Sequence, residues 1–571
     1  MIKKLRSLLT KRDKQLLLGL LFFSIFISVV ETAGISVIMP FIAVATDFTI
    51  IHSNQYYKFI YDFFNFKNDV KFVISFGSIL ILFYIFRSFI NLAYFYFLNR
   101  FTQGRYHLLV YRLFENYMGL PYNEFIKRNS STLTKSIISE AANLTNLISA
   151  VLFMMSEIFI VIFIYLMMLY VNYKITLLLT IILFFNAVLM MKSVAITIKK
   201  AGTIRADIQK RFYEIINRSF GNFKLIKLSL NDSEILKEFS DASLVYAKSN
   251  ITHQTLSHVP RLFLEAVGFG LIIFIISYLV YKYETNISGM LSIISMFILA
   301  LYRLMPSVSR IMTSYNQIMF YHKSLDIIHN DLMYDSENLG DEEINFNDQI
   351  ELRSISFEYE ENKSILKNIS LVIKKGQKIA FVGESGSGKS TLLDLIMGLY
   401  RPKNGAIVVD GVTLDENNIK TWRHKIGYIP QSIYLFDGTV AQNVAFGKSF
   451  DEDKIKDALQ QANILEFLEI NHNGIDTDVG EGGIKLSGGQ RQRIAIARTL
   501  YSDPEILVLD EATSALDTDT EAKIMEEIYK IRNDKTLIVI AHRLSTIEGC
   551  ETVYKIEGNV LVHQQITRMD K

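Results

Sequence analysis

Six long apolar runs near the start of this 571-residue chain constrain its fold more than any other feature. They lie at 16–45, 72–98, 147–171, 175–198, 262–282 and 288–312. Each run exceeds or approaches the ~20 helical residues that cross about 30 Å of hydrocarbon. Hydrophobic residues make up 50% of the chain and the mean hydropathy is +0.23, more apolar than is usual for a soluble protein. The sequence therefore predicts an all-α membrane domain with six spans.

The N-terminus is predicted to lie in the cytoplasm. Six basic residues flank the first apolar run: Lys3, Lys4, Arg6, Lys11, Arg12 and Lys14. The next connection, at 46–70, mixes acidic and basic side chains, so the positive-inside rule assigns the basic end to the cytoplasm. The first run is too long for the apolar core of a signal peptide, and we expect it to be retained as a span.

Total charge and cysteine content argue against two classes of site. The chain carries 60 Lys and Arg against 58 Asp and Glu, which gives no reason to expect a nucleic-acid partner. Its single cysteine, Cys550, excludes an internal disulfide and metal sites built from several cysteines.

The composition changes near residue 330, and the change indicates how the chain is divided. Residues 1–335 are predicted to form the membrane domain, in which the charged stretch 199–258 extends two helices into the cytoplasm. The polar, acidic stretch 336–349 is predicted to be a linker. Residues 350–571 alternate short β-rich runs with helical ones, which predicts an α/β domain with a mainly parallel sheet.

A phosphate-binding loop lies near the start of the α/β domain. Its residues match G-x-x-x-x-G-K-[ST]: Gly383, Glu384, Ser385, Gly386, Ser387, Gly388, Lys389 and Ser390, followed by Thr391. The loop follows the apolar strand KIAFV and precedes the helix STLLDLIMGL, which is the context that the motif needs. We expect backbone N–H groups and the helix N-terminus to bind phosphates, Lys389 to reach the β- and γ-phosphates, and Ser390 to hold Mg²⁺.

Two further apolar strands end in residues suited to phosphoryl transfer, so the domain is predicted to be a P-loop NTPase. The segment ILVLDE at 506–511 ends in two carboxylates. Asp510 suits Mg²⁺, and Glu511 is placed to orient and polarise the attacking water. His542 ends the strand TLIVIAH, at the carboxyl edge where ligands bind α/β sheets, and is predicted to contact the γ-phosphate.

The segment LSGGQRQR at 486–493 supplies a second phosphate-binding helix N-terminus. One nucleotide cannot readily use both loops of the same domain, but a second copy of the domain can supply the other loop. With this segment the chain resembles a half-transporter of the ATP-binding cassette (ABC) exporter family, with the membrane part first. The resemblance covers essentially the whole chain and is most specific over 350–560.

The resemblance assigns roles to further residues. It implies that Tyr359 stacks on adenine and that Gln431 links Mg²⁺ to the membrane domain. It also implies that Ser487 and Gly489, at the start of a helix, contact the γ-phosphate across the interface of a dimer. The residues of that start are Ser487, Gly488, Gly489 and Gln490. The complete motif set implies an ATP hydrolase coupled to transport, with ATP and Mg²⁺ as cofactors.

The resemblance also assigns roles to connecting segments. The segment SALD at 514–517, with Asp517, is implied to face the dimer partner, and DVGEGG at 478–483 to meet the membrane-domain linkers. The connections at 119–131 and 221–232 would supply short cytoplasmic coupling helices. One membrane domain and one cassette make half a transporter, so a homodimer with about twelve membrane helices is the simplest completion.

Arginines inside the apolar runs are candidate cargo ligands, because charge in a membrane is costly. Arg87, Arg261 and Arg303 fall at comparable depth in the inner half of their spans, counted at 1.5 Å per residue. Such a cationic ring would suit a phosphate or pyrophosphate headgroup, which the guanidinium fork matches. Two alternatives stay open: Arg261 pairs with Glu265 four residues on, or the arginines extend toward lipid headgroups.

The first external connection has an aromatic helical face. Tyr56, Phe59, Ile60 and Phe63 recur at helical spacing within 50–66, and Tyr57 lies beside them. This predicts an amphipathic helix at the outer membrane surface, with a simple capping connector as the alternative.

Together these features resemble the bacterial lipid-linked oligosaccharide flippases of the ABC exporter family. That resemblance implies a polyprenyl-pyrophosphate oligosaccharide cargo, delivered across the bacterial inner membrane for protein N-glycosylation. It implies that the external helix handles the polyprenyl tail and that the arginines guide the pyrophosphate. An exporter of another lipid, such as lipid A, or of drugs is the alternative. An ATP-gated channel or regulator is a different class, and a peptide exporter with a protease domain is disfavoured because no peptidase segment precedes the first span.

Overall fold

The computed structural model describes residues 1–282, 287–334, 336–359, 363–510, 525–526, 528–529, 535–541 and 547–564. The chain forms two compact units, which are described separately. The first consists of Met1–Leu120 and Phe125–Ser336, and the second of Pro121–Glu124 and Glu337–Lys571. The division at Ser336 falls at the start of the predicted linker.

The first unit is built from helices. Between Met1 and Ser336 the helices are α1 (Ile2–Leu8), α2 (Lys11–Thr46), α3 (Thr49–Ser53), α4 (Gln55–Phe63), α5 (Asp69–Met118), α6 (Tyr122–Ile126), α7 (Ser130–Lys135), α8 (Ala141–Val171), α9 (Tyr173–Gly221), α10 (Phe223–Ser229), α11 (Asp232–Lys282) and α12 (Ile287–Leu332). A π-helical turn, Ser136–Glu140, joins α7 to α8.

Each predicted span lies within one long helix of this unit. Four helical stretches in the described part are long and apolar enough to cross a membrane: Lys11–Thr46, Asp69–Met118, Ser130–Val171 and Asp232–Phe274. The other two predicted spans, 175–198 and 288–312, lie within α9 and α12. Both helices continue well past these apolar stretches, α9 to Gly221 and α12 to Leu332. The short helix α10 occupies the predicted connection between α9 and α11.

Local sequence explains where the first helices begin and how closely the long ones pack. Thr10 and Asp13 form a reciprocal capping box at the start of α2, satisfying two backbone N–H groups. Asn68 caps α5 through its side chain.

Gly202 on α9 packs so closely on α12 that an added Cβ would lie 2.1 Å from the Phe320 carbonyl oxygen. Only glycine allows that contact. The core of the unit is lined by fully buried side chains of α8 and α12, among them Leu144 and Ile328.

The second unit is an α/β domain with two sheets. Its strands are β1 (Gln349–Glu358), β2 (Ser364–Lys374), β3 (Lys378–Val382), β4 (Asn404–Val409), β5 (Val412–Thr413), β6 (Ile426–Ile429), β7 (Ile506–Asp510), β8 (Thr536–Ile540), β9 (Thr552–Glu557) and β10 (Val560–Gln564). Its helices are α13 (Lys389–Ile396), α14 (Ile419–His424), α15 (Val440–Val444), α16 (Glu452–Gln461), α17 (Leu465–Asn471) and α18 (Gly488–Leu500).

The larger sheet positions the site. Its order is β10-β9-β3-β8-β7-β6, and every neighbouring pair from β9 to β6 is parallel. The strand KIAFV, which is β3, therefore lies inside the sheet, and its three middle residues are buried. The predicted mainly parallel sheet and the two-part fold class are confirmed. The prediction missed a separate antiparallel sheet, β2-β1-β4-β5, in which β1 and β2 form a hairpin before the phosphate-binding loop.

Candidate functional site

The phosphate-binding loop joins the end of β3 to the start of α13. Gly383 and Gly388 have φ angles of 150° and 100°, which residues with a side chain rarely adopt. An added Cβ at Gly383 would lie 2.6 Å from the Ile556 carbonyl oxygen, and one at Gly388 would lie 2.9 Å from Leu366. Glycine at both positions is therefore needed for the loop to curl tightly against its surroundings.

Lys389 and Ser387 turn polar groups toward the inside of this loop. The Lys389 ammonium donates to the carbonyl oxygens of Gly383 and Glu384, both at 2.9 Å, so the side chain folds back along the loop. The Ser387 hydroxyl is buried and has no hydrogen-bond partner in the described part of the chain. Ser390 and Thr391 follow on the first turn of α13, Ser390 exposed and Thr391 buried. A buried cation and an orphan hydroxyl fit a phosphate group.

The register of the larger sheet brings Asp510 close to the phosphate-binding loop. Phe381 on β3 pairs with Ile540 on β8, and Ile540 pairs with Asp510 on β7. At about 4.8 Å per strand, Asp510 lies about 10 Å from the strand that leads into the loop. Gln431 follows β6 by two residues, beside β7 at the same carboxyl edge. The two residues predicted to hold Mg²⁺ with Ser390 therefore share one edge of the sheet.

Two residues that sequence reasoning missed surround Asp510. The Tyr428 hydroxyl donates to the Asp510 carboxylate at 3.3 Å. Burial, together with the nearby Asp510 carboxylate, raises the pKa of Asp394 on α13 to about 6. Two carboxyl groups and a phenol facing one another make a site that favours a bound cation, because a cation would relieve their repulsion. Along β6 the exposed Tyr428 lies between the buried Gly427 and Ile429. This alternation could have predicted that the Tyr428 side chain points away from the core.

Tyr359 lies beside α13. Its hydroxyl is 2.9 Å from the Thr391 hydroxyl, and its ring packs edge-on against Phe357 and Tyr400 with centroids 5.1 and 5.4 Å away. Half of its surface is exposed. A partly exposed ring anchored next to the phosphate-binding helix suits stacking on a base, and that role stays a prediction.

The segment at 486–493 forms the start of α18, as expected. Ser487 is its N-cap: the hydroxyl accepts from the Gln490 N–H, and the Gln490 side chain accepts from the Ser487 N–H. Ser487 is exposed, and Gly488 and Gly489 are only partly buried. Among the described residues the Ser487 hydroxyl bonds only within this cap, so its outer side is open to a further ligand.

Several predicted residues lie outside the described part of the chain. These are Glu511, His542 and the segment 514–517 with Asp517. Their roles as water-orienting carboxylate, γ-phosphate contact and dimer-facing loop remain predictions.

In the first unit, Glu31 joins two of the predicted arginines. The Glu31 carboxylate is 2% exposed and accepts from Arg87, from Arg303 at 3.0 Å and from Asn91 at 2.9 Å. Arg87 also lies over the Tyr84 ring, 5.3 Å from its centroid. Two guanidinium groups on one carboxylate leave a net positive charge at the junction of α2, α5 and α12.

Arg261 lies apart from that junction. It pairs with Glu265 at 2.8 Å, the alternative that its i,i+4 spacing left open, and both side chains are largely exposed. Arg261 instead shares a cavity of about 500 Å³ with Arg310, which the Arg303–Glu31 group does not line. Arg310 pairs at 2.7 Å with Glu157, a buried carboxylate on α8. The described residues therefore form two arginine groups, and a single ring of Arg87, Arg261 and Arg303 is not what this subunit presents.

The external helix α4 exposes the predicted aromatic face. Tyr56, Phe59, Ile60 and Phe63 are all exposed, and the rings of Phe59 and Phe63 stack at 6.0 Å. Tyr57 turns the other way and packs on a small core under α4. The helix thus has one anchored face and one open apolar face.

Comparisons with known proteins agree with this architecture. The family model described as ABC transporter matches residues 366–514, and that of the ABC transporter transmembrane region matches 36–305. The solved structure of a bacterial Atm1-family ABC exporter with ATP bound has the same fold. It superposes with a TM-score of 0.77 at 22% identity, over 96% of this chain and 94% of that one.

Curated relatives match over two different extents. An uncharacterized ABC transporter ATP-binding protein of Bacillus subtilis is 41% identical over 216 residues, and an ATP-dependent lipid A-core flippase of Burkholderia pseudomallei is 42% identical over 216. In those alignments the chain spans only 38% and 36% of the relatives' length. A lipid A-core flippase of Paraburkholderia xenovorans is 30% identical over 458 residues, covering 78% of this chain and 76% of that protein.

ABC transporters couple ATP hydrolysis to transport, and their ATP-binding domain uses ATP with Mg²⁺. The residues present fit these cofactors: Lys389 and Ser387 face the phosphate position, and Asp510 and Ser390 supply oxygen ligands of the kind that Mg²⁺ prefers. When bound, Mg²⁺ would neutralise charge on the transferring phosphate. With both domains matched by family models and most of the chain aligned to a relative, this protein belongs to the ABC transporter family.

Proposed function

We propose that two copies of this chain form an ATP-driven lipid flippase of the bacterial inner membrane. One observation carries the proposal: each cassette has two separate phosphate-binding parts, the loop at Lys389 and the helix start at Ser487. The phosphate-binding loop curls around Lys389, while the side chain of the exposed Ser487 bonds only to Gln490 among the described residues. An exposed helix N-terminus with a free outer side is suited to a phosphate bound by a second cassette.

In this mechanism the chain's own residues bind and orient the nucleotide. Lys389 exchanges its loop carbonyls for phosphate oxygens, and the Ser487 side of the partner cassette closes over the same phosphates. Glu511 is proposed to orient the attacking water. Closure and reopening of the two cassettes would then drive the membrane helices between inward- and outward-facing arrangements. The lipid A-core flippases among the relatives support lipid movement as the output.

The cargo that we propose is a polyprenyl-pyrophosphate-linked oligosaccharide, moved to the outer leaflet for protein N-glycosylation. Two features support an anionic headgroup. The Glu31 junction carries two guanidinium groups on one carboxylate. The cavity of about 500 Å³ is lined by two more guanidinium groups, those of Arg261 and Arg310; each is paired with a carboxylate, and Glu265 also lines the cavity. Arginine matches phosphate oxygens through paired N–H groups, so pyrophosphate is a suitable ligand for either group.

The external helix supports the lipid part of the proposal. Tyr56, Phe59 and Phe63 are 80%, 69% and 69% exposed, which is unusual for neighbouring aromatic side chains unless lipid covers them. A long polyprenyl tail is too apolar to stay in water while its headgroup crosses. We propose that the open face of α4 contacts this tail.

A lipid A-type cargo is the second candidate. It is favoured by the relatives named as lipid A-core flippases, and phosphates on such a lipid would satisfy the same arginines. The two candidates differ in their apolar part, since a polyprenyl tail is one long chain.

Purified protein in proteoliposomes separates the candidates. Three lipids are supplied in turn: a polyprenyl-pyrophosphate oligosaccharide, lipid A and a fluorescent phospholipid. The proposal expects ATP-dependent inversion of the first only. Inversion of lipid A alone would replace the cargo, and inversion of none, with normal ATP hydrolysis, would refute the flippase.

Arg261→Gln tests the headgroup site cleanly, because its partner Glu265 is exposed and tolerates the loss. The expected result is slower inversion with little change in basal ATP hydrolysis. Arg211→Gln is the matched control, since Arg211 is also an exposed helical arginine, paired with Glu238 at 3.4 Å. Removing Arg87, Arg261 and Arg303 together should impair inversion more strongly. Normal inversion in that triple variant would remove these arginines from the mechanism.

A further inference from the structure

A groove beside the N-terminal helix has the features of a lipid-binding site. It has a volume of about 380 Å³ and lies among α1, α2, α5 and α8. Leucines of α2, Leu98 of α5 and Leu152 of α8 line most of it. Arg6 and Lys14 line it as well, and they are its charged residues. The groove is thus apolar along its length with two cations among its lining residues.

No described residue neutralises the two cations, whereas two basic residues near them, Lys4 and Arg105, are paired. Lys4 pairs with Asp326 at 2.6 Å, and Arg105 pairs with the buried Asp13. In the described part of the chain, neither Arg6 nor Lys14 has an ion-pair partner. Both side chains are exposed. An anion from outside the protein is therefore the natural partner of these two groups.

The position of Arg6 is fixed by the contacts of its helix. Leu8 is buried among side chains of α5 and α8, and its carbonyl oxygen accepts from Arg112 at 3.3 Å. The Lys4–Asp326 pair ties the same helix to α12. Because α1 is held on two sides, Arg6 stays at the groove.

The dimensions of the groove suit an acyl chain. Lining residues on α2 run from Lys14 to Ser24, about 15 Å along the helix axis. Lys14 precedes the first predicted span at the cytoplasmic side, so the leucines after it lie at the depth of the inner-leaflet acyl chains. A phosphate at Arg6 and Lys14 would therefore continue directly into a hydrocarbon chain in the groove.

We propose that this groove binds an anionic phospholipid of the cytoplasmic leaflet, with its phosphate on Arg6 and Lys14 and one acyl chain against Leu17, Leu21 and Leu152. Basic groups at the cytoplasmic end of a span attract anionic lipid, each by enough to change affinity about fivefold. The site is separate from the two arginine groups assigned to cargo. It does not depend on the proposed function, because it requires neither ATP nor transport.

Photolabelling of the full-length protein in nanodiscs tests the proposal. The probes are phosphatidylglycerol and phosphatidylcholine, each with a photoreactive group on one acyl chain, at low mole fraction in neutral lipid. Labelled residues are mapped by mass spectrometry. We expect phosphatidylglycerol to label the groove leucines about tenfold or more above phosphatidylcholine.

Variants separate the two parts of the site. Arg6→Gln with Lys14→Gln should abolish the preference for phosphatidylglycerol. Lys11→Gln with Arg12→Gln, which removes two neighbouring cations outside the groove, should retain it. Leu21→Trp, which narrows the groove and keeps both cations, should reduce labelling by either probe. Each variant is first checked for unchanged elution as a folded protein.

Three results would overturn the proposal. Equal labelling by the two lipids would mean that the groove does not select an anion. Equal loss in both double variants would assign the preference to diffuse surface charge. Absence of label in the groove from both probes would mean that no lipid occupies it. Because the assay contains no ATP or cargo, none of these outcomes bears on the flippase proposal.

Discussion

Replacing Glu31 by glutamine should destabilise the membrane unit strongly. The carboxylate is buried and accepts from Arg87, Arg303 and Asn91. Glutamine has nearly the same shape but no charge, so two guanidinium groups would remain together without a counter-charge. Breaking a buried pair in this way costs about 3–5 kcal/mol, which is more than a hundredfold in the unfolding equilibrium constant.

Glu265→Gln is the matched control. It also removes a carboxylate from an arginine, but both Glu265 and Arg261 are largely exposed. An exposed i,i+4 pair contributes about 0–1 kcal/mol, so the control should be close to wild type. The double variant Glu31→Gln with Arg303→Gln should recover part of the lost stability, because it removes one of the two uncompensated cations.

The chain allows the two units to be followed separately in one denaturation experiment. Its single tryptophan, Trp422, is fully buried in the second unit and donates to the Ile396 carbonyl oxygen at 2.8 Å. Tryptophan fluorescence therefore reports that unit, while far-ultraviolet circular dichroism is dominated by the long helices of the first. In titration with a denaturing detergent, Glu31→Gln should shift the dichroism transition and leave the fluorescence transition in place. Equal shifts for Glu31→Gln and Glu265→Gln, or no recovery in the double variant, would refute the reasoning.

Three further predictions concern the ATP-binding unit. Ser487→Ala should lose about 1 kcal/mol of stability, because it removes the cap of α18. Thr439→Ala removes a similar capping box from α15 and should lose about as much. Only Ser487→Ala should also lower the rate of ATP hydrolysis, by about tenfold or more. Glu511→Gln should abolish turnover and leave ATP binding intact, and equal hydrolysis rates in the variant and wild type would contradict its role. Asp394→Asn should be more stable than wild type at pH 7.5 by about 1 kcal/mol, after allowance for partial exposure, and the difference should vanish near pH 4. The variant is the more stable protein because the raised pKa of Asp394 makes the wild type lose stability as the pH rises from about 4 through about 6. Thermal melts at several pH values measure this difference in stability.

The fold of the ATP-binding unit was accessible from sequence where local pattern and chemistry coincide. The loop before Lys389 could be identified because a strand precedes it and a helix follows, and the cap at Ser487 because a hydroxyl precedes two glycines and a glutamine. The antiparallel sheet was missed because β1 and β2 have the same β-rich composition as the parallel strands. Only their pairing, which is not a local property, distinguishes them.

The arginines show where sequence reasoning stops. Counting residues gives the height of Arg87, Arg261 and Arg303 along their helices, but it does not give the direction in which each side chain points. Each residue turns the direction by about 100°, so equal height does not imply a shared site. Glu31 meets Arg303 across 272 positions of sequence, and that meeting depends on how α2 and α12 pack. On α4, by contrast, all the side chains belong to one short helix, so spacing alone identified its open face.

The folded-back Lys389 has a consequence for which anions the cassette accepts. Its ammonium is coordinated by two carbonyl oxygens of its own loop. An incoming anion gains only the difference between its oxygens and those carbonyls. A small monoanion offers little over that internal competitor, whereas a triphosphate, contacting many loop amides at once, displaces it readily. The carbonyl oxygens of the loop thus disfavour binding of the abundant simple anions of the cell.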